Sequence, residues 1–274
     1  MAKKSFDPRS LIPGRRVIRR LFNSSDHRRS PPGTAPGTLT ADPTASPGRI
    51  SVLTYGPDLF EELSDVTMDR ALEEIDRGAV TWINVDGLGD VEAIKAIGAR
   101  LGFHVLALED VVNTHQRPKV EVYDDHVFVV LRMVNNEGAG IGNEQVSLFF
   151  TDKVLVTFQE RPGDCFEPIR QRIRRPTGRM RTRRADYLAY AVLDAIVDGF
   201  FPVIERVGEE IENLAERILE RPEAVNMAEV QGIKRDLLNV RRAAWPLRET
   251  VNSLLQEDLP AVTPDTRVFL RDCY

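Results

Sequence analysis

The chain has 274 residues, 42% hydrophobic and 29% charged, with a formal net charge of −5; this excludes disorder of the whole chain and leaves room for one large domain or two smaller ones. Two cysteines, Cys165 and Cys273, exclude a disulfide scaffold, and four histidines without CxxC or HxxxH spacing give no structural zinc site. The first residues are basic where a secretory signal would be apolar.

Residues 1–31 hold nine Lys or Arg against two acids, so a +7 tail is set against a −12 remainder. Pro31 to Gly48 is rich in Pro, Gly, Ser and Thr, and residues 1–48 are therefore expected to be a basic disordered tail and linker, read as a solvated extension. From Ile50 the pattern alternates. Ile50–Tyr55 has strand composition, Thr67–Arg77 places Leu72 and Ile75 on one helix face, and Thr81–Val85 is a short β-rich run. Asp90 looks like the N-cap of a helix through Leu101. Val127–Val134, Gln145–Phe150 and Lys153–Phe158 read as strands, with turns at Asn135–Asn143 and Thr151-Asp152. Residues 49–184 are thus expected to form a layered α/β sandwich.

Beyond Arg184 the strand signals stop. Tyr187–Ile204 is the most apolar long stretch, yet Asp194, Asp198 and Pro202 interrupt it; two carboxylates at bilayer depth cost roughly 5–7 kcal/mol, so it reads as a core helix and not a span. Ala185–Leu219 and Met227–Leu255 are two helical patterns separated by Glu220-Arg221-Pro222-Glu223, an antiparallel hairpin that fills 185–262. Thr263-Pro264-Asp265 is a fresh helix start, expected to run to Tyr274 without a stop signal. The fold class is α+β.

No phosphate-binding glycine loop is present: Gly87 and Gly89 give only GLG, and Gly138, Gly140 and Gly142 lie between strands. No GxSxG occurs and neither cysteine has a histidine close in sequence, so no enzyme is expected. Asp194 and Asp198 share a helix face at i, i+4, where like charges need compensation. Either each pairs with an arginine or caps a neighbouring element, or Glu109-Asp110, Asp194 and Asp272 converge on a hard divalent cation, for which Mg²⁺ needs only one or two carboxylates. Spacing leaves both readings open. Arg170 to Arg184 packs eight arginines into 15 residues without an interleaved aromatic, which reads as an acid-paired face, with the Glu-rich helix as one source of partners, and not as a nucleic-acid site.

At HQRPKVEVYDD (His115–Asp125), EQVSLFFTDKVLVTFQE (Glu144–Glu160), RADYLAY (Arg184–Tyr190), LDAIVD (Leu193–Asp198), WPLRE (Trp245–Glu249) and FLRDCY (Phe269–Tyr274), the chain resembles the cytoplasmic region of CorA-type magnesium and cobalt transporters, collinearly from about Ile50 onward. The resemblance implies a homopentameric transporter of the plasma (inner) membrane with this region facing the cytoplasm, residues 49–184 forming an α/β/α sandwich, and residues 263–274 starting a stalk helix that leads to transmembrane helices. It also implies regulatory Mg²⁺, with Co²⁺ or other divalent ions possible, at two intersubunit sites. One matches Asp110 and Asp272 on adjacent subunits; the other matches Glu109, Asp194 and Asp272. Lys119 and Arg117 nearby receive no role. A related zinc or nickel transporter would share this architecture, and a soluble metal-responsive scaffold is the reading of a different class.

Overall fold

The computed structural model describes residues 35–274 apart from 78–79, 138–139, 222, 224, 257–258 and 260, so the basic tail expected over 1–31 lies outside the described residues. The strands are β1 (Arg49–Tyr55), β2 (Phe60–Leu63), β3 (Val80–Asp86), β4 (Lys119–Val122), β5 (Val127–Glu137), β6 (Gly140–Phe150) and β7 (Val154–Gln159). They form one sheet in the order β2-β1-β3-β7-β6-β5-β4, antiparallel at every junction but β3–β7. The helices are α1 (Met68–Ile75), α2 (Val91–Leu101), α3 (Val105–Val112), α4 (Glu167–Arg174), α5 (Ala185–Asp198), α6 (Phe200–Glu220), α7 (Met227–Leu254) and α8 (Pro264–Leu270).

Both faces of the sheet are covered, which is why β3, β6 and β7 are buried at nearly every position, polar residues such as Asn84, Ser147 and Thr157 included. Period-two geometry sorts their side chains. Ile83, Phe128, Val130, Phe149 and Val156 point into one core with Ala71 of α1, Ile94 and Ile97 of α2, and Leu108 and Val111 of α3. Trp82, Val129, Leu131, Leu148 and Leu155 point into the other, under Ile169 of α4, Val192 and Ile196 of α5, Val203 of α6 and Leu247 and Val251 of α7. The α/β/α sandwich is the expected fold.

Caps set several boundaries. Asp90 accepts from the Ala93 N–H at 3.0 Å and starts α2, and Thr67 caps α1. Gly102 ends α2 in the left-handed region at φ 71°. A Cβ there would meet only Asp125 Oδ2 at 3.5 Å, so the cost of a side chain is conformational. Gly102→Ala is expected to destabilise by about 1 kcal/mol, read as a lower midpoint in urea unfolding.

Four expectations change. The turn placed at Asn135–Asn143 is instead mostly strand, with Asn135 opposite Gly142 and Glu137 opposite Gly140. The hairpin stays paired to its end because α7 holds it: Asp236 accepts from the Ile141 N–H at 3.3 Å and Asn239 Nδ2 donates to the Ile141 carbonyl at 3.0 Å. The helix expected over Ala185–Leu219 divides at Gly199 into α5 and α6. Pro202 explains the break, since it has no N–H to give the Asp198 carbonyl and its ring crowds that turn. Residues 35–48, expected as linker, lie against the domain: Leu39 packs on the α3-side core, and the Ser46 carbonyl accepts from the Gly89 N–H at 2.9 Å. The final helix, expected through Tyr274, ends at Leu270 with Arg271 as its C-cap.

The helical stretch Ala185–Glu220, α5 and α6 taken together, is the one, among the described residues, long and apolar enough by length and composition to cross a membrane. Leu188, Val192, Leu193, Ile196, Phe200 and Val203 are buried in the core beneath α5 and α6, so this apolar stretch is accounted for by packing.

Four of the eight clustered arginines are acid-paired, while Arg172 donates to the Tyr187 hydroxyl and Arg181 to the carbonyls of Ile173 and Arg174. Arg170 forks onto Asp164 at 2.6 and 2.8 Å, Arg174 reaches Glu62 and Glu167 at 2.6 Å, Arg183 reaches Asp265 at 2.7 Å, and Arg184 pairs with Asp152. These partners sit on β2, α4, α8 and loops; the Glu-rich helix α6 supplies none of them.

Candidate metal centre

Glu109 and Asp110 lie on α3. This helix is short and capped by His104, whose Nδ1 accepts from the Leu106 N–H at 3.3 Å. Leu108 and Val111 anchor it in the core, while Gln145 of β6 donates to the Asp110 carbonyl at 2.8 Å. Arg132 of β5 holds the segment that follows, donating to the carbonyls of Thr114 and Gln116 at 2.9 and 2.7 Å. Two strands of the sheet therefore fix where both carboxylates project.

Each carboxylate already has a partner from its own chain. The Gly37 N–H donates to Glu109 Oε2 at 2.7 Å. Lys119 of β4 donates to Asp110 Oδ2 at 2.6 Å and also pairs with Glu121. Burial works against the Lys119 ammonium, but its two carboxylate partners outweigh that and hold its pKa above the ordinary lysine range.

Asp194 lies on α5 and Asp272 just beyond α8. Asp186 joins the two helices at their starts: its Oδ2 accepts from the Thr263 N–H at 2.8 Å and from the Thr263 hydroxyl at 2.7 Å, and Thr263 is the N-cap of α8. Phe269 packs on the rings of Tyr187 and Tyr190, with centroids 5.2 and 5.5 Å away. The Cys273 thiol then donates to Asp194 Oδ1 at 3.4 Å, which ties the segment carrying Asp272 to α5. Asp272 itself is exposed.

Burial pushes the Asp194 carboxyl above its ordinary range; Cys273, Tyr190 and Arg172 pull it back, and Asp198 one turn on adds to the rise. The hydrogen bond from Cys273 is a weak thiol bond and not an ammonium or guanidinium fork. An ionised Asp194 is thus left wanting positive charge.

The structure gathers the four residues into two pairs and keeps the pairs apart. Glu109 and Asp110 sit on the helix whose Leu108 and Val111 fill one core, and Asp194 sits on the helix whose Leu193 and Ile196 fill the other. The sheet lies between them. Among the described residues, no three His, Cys, Asp or Glu side chains of one chain form a group that could hold a metal ion. Contacts from Gly37 and Cys273 join segments 72 and 79 residues apart and that from Lys119 bridges the turn from α3 to β4, so none had a signal in composition or spacing.

Beside Gln145, Glu144 is 1% exposed and its Oε2 is 3.9 Å from Arg161 Nε. Burial raises its pKa to about 7, with Arg161 opposing and Glu160 and Asp86 adding to the rise. A carboxyl with a raised folded-state pKa contributes stability that is present below its unfolded pKa and lost as pH climbs through the folded value. The parent is therefore expected to lose about 1–2 kcal/mol of unfolding free energy between pH 5 and 8 through this group, and Glu144→Gln to flatten that decline, as followed by urea unfolding at each pH.

Comparison with known proteins gives the family. Residues 77–274 match the model described as "CorA-like Mg2+ transporter protein". The cobalt/magnesium transport protein CorA of Thermotoga maritima is 38% identical over 245 residues, covering 88% of this chain and 70% of that protein. The putative metal ion transporter YfjQ of Bacillus subtilis is 27% identical, covering 74% of this chain and 63% of the relative. In fold, the soluble domain of CorA from Methanocaldococcus jannaschii superposes with a TM-score of 0.66 at 17% identity, over 81% of this chain and 85% of that one. The cytoplasmic domain of ZntB from Vibrio parahaemolyticus superposes at 0.60 with 13% identity, over 83% and 88%. On the family match and the identity to the Thermotoga protein, the chain belongs to the CorA-like Mg²⁺ transporter family.

Proposed function

We propose that this chain is the cation-sensing cytoplasmic part of a Mg²⁺ and Co²⁺ transporter of the inner membrane, working as a homopentamer. In this reading Asp110 of one subunit and Asp272 of its neighbour hold one regulatory Mg²⁺, and Glu109, Asp194 and Asp272 hold a second. The observation that carries it is the separation of the two carboxylate pairs onto opposite faces of the sheet. One chain cannot close such a site, whereas two copies side by side can. The donors are hard oxygens, which suits Mg²⁺ with most of its waters retained. The family is one of transporters and not of enzymes.

The mechanism is a ligand-linked equilibrium. Ions between subunits offset the repulsion of facing carboxylates and favour the closed ring. When cytoplasmic Mg²⁺ falls the ions leave, and the ring loosens. An intersubunit site meets the thermodynamic requirement, because opening separates its halves and so gives the ion different affinities for the two states. The −12 body adds a diffuse field that concentrates cations.

Limited proteolysis across a Mg²⁺ titration tests the reading. Progressive protection in the millimolar range or below is expected. Cleavage that is indifferent to Mg²⁺ would contradict it.

A further inference from the structure

Lys119 stands where a cation at Asp110 would stand. Its Nζ is 2.6 Å from Asp110 Oδ2 and pairs at the same time with Glu121, whose Oε2 accepts the Tyr123 hydroxyl at 2.9 Å. In the β4–β5 register Lys119 lies opposite Val130 and Glu121 opposite Phe128, so the two side chains share one face of the edge strand. The ammonium is also 5.7 Å from the centroid of the Phe128 ring, which is fully buried. The Asp110 and Lys119 side chains are only 23% and 29% exposed, so water screens the pair incompletely.

We propose that Lys119 is a tethered competitor for the divalent cation: it occupies Asp110 when Mg²⁺ is scarce and so sets the concentration at which the regulatory site fills. This rests on the reading of Asp110 as a Mg²⁺ ligand. Oδ2 cannot take a hydrated Mg²⁺ and the ammonium along the same direction, so an arriving ion either turns Lys119 away or binds against its charge. Either course raises the Mg²⁺ concentration needed. Glu121 gives the displaced ammonium a second carboxylate to rest on, which keeps the exchange reversible and lets the residue return when the ion leaves.

Mg²⁺ titrations of thermal unfolding in the full chain, for the parent and three variants, decide the matter. Lys119→Gln is expected to lower the half-maximal Mg²⁺ concentration about 5- to 30-fold, the span of a moderate coupling between two ligands. Lys119→Arg keeps the charge and should leave the midpoint within about twofold of the parent on the same scale. Asp110→Asn should lose most of the response, keeping only what the second site supplies. If Lys119→Gln does not fold, Lys119→Met, which keeps an apolar stem over Phe128, carries the same expectation. An unchanged or raised midpoint in Lys119→Gln or Lys119→Met, with most of the response still lost in Asp110→Asn, overturns the competitor role and leaves the ligand assignment standing. A response in Asp110→Asn with the parent's size and midpoint overturns the ligand assignment itself and this proposal with it.

Discussion

Asp110→Ala and Asp272→Ala are each expected to remove most of the Mg²⁺-dependent stabilisation of the assembled chain while leaving its stability without Mg²⁺ nearly unchanged. A ligand that binds only the folded, assembled state stabilises it by about 2.7 kcal/mol at about 100 times its Kd, and for a domain of this size that is several degrees in Tm. Losing either half of an intersubunit site forfeits that increment. Neither change should harm the fold by itself. Asp272 is exposed beyond the end of α8, and removal of Asp110 leaves Lys119 its pair with Glu121. Thermal melts at zero and saturating Mg²⁺ separate the two quantities; equal Mg²⁺ shifts in variant and parent would remove these residues from the site.

Phe149→Ala is expected to destabilise the fold at all Mg²⁺ concentrations by about 3–5 kcal/mol, the usual cost of emptying a core aromatic site. The ring is fully buried on the α3 side of the sheet. It stacks on Phe103 with centroids 4.0 Å apart and on Phe128 at 4.5 Å, and meets Phe158 edge-on at 6.1 Å. Phe103 directly precedes His104, the cap of α3, so the cavity would also loosen the seat of Glu109 and Asp110. The signature therefore differs from that of the aspartate variants: Tm falls in the absence of Mg²⁺, and the remaining Mg²⁺ shift shrinks because the half-site is held less firmly. A melt within about 1 kcal/mol of the parent would show that the site collapses around the loss more completely than cores of this density do.

The sandwich and its order were legible in the sequence because its central strands and long helices carry strong apolar patterns. Val127–Val134, Val146–Phe150 and Val154–Phe158 are rich in Val, Phe and Leu, and Asp90 and Thr263 are the caps their helices use. The short elements escaped. β2 is four residues at a sheet edge with its side chains partly in solvent. β4 is of the same length, and α4 has its arginines in place of an apolar stripe. α3 is two turns long, capped by a histidine, with Val105 and Leu106 exposed, so its periodicity is blurred.

Legibility was lower at the candidate site. Asp194 and Asp198 stood out as like charges on an apolar helix, but Glu109, Asp110 and Asp272 were singled out firmly only through the resemblance of their motifs. The structure adds what spacing could not carry: which face of the sheet each carboxylate belongs to, and which internal donor it meets. Gly37 reaches Glu109 through a backbone N–H, a contact with no residue signature, from a segment whose composition reads as linker. Lys119 meets Asp110 across the turn between α3 and β4. The fold likeness extends both to a CorA soluble domain and to a ZntB cytoplasmic domain, so the sandwich alone does not choose the ion.

The central claim is that regulatory Mg²⁺ sites close between subunits, and mixing two defective chains tests it most directly. Asp110→Ala and Asp272→Ala chains, each with most of its Mg²⁺ response lost when alone, are unfolded together, refolded as a mixture and titrated with Mg²⁺ under limited proteolysis. Some interfaces in a mixed ring bring the intact Asp110 of one chain against the intact Asp272 of the other, so partial recovery of Mg²⁺-dependent protection is expected. A mixture that responds no better than either variant alone would contradict the account.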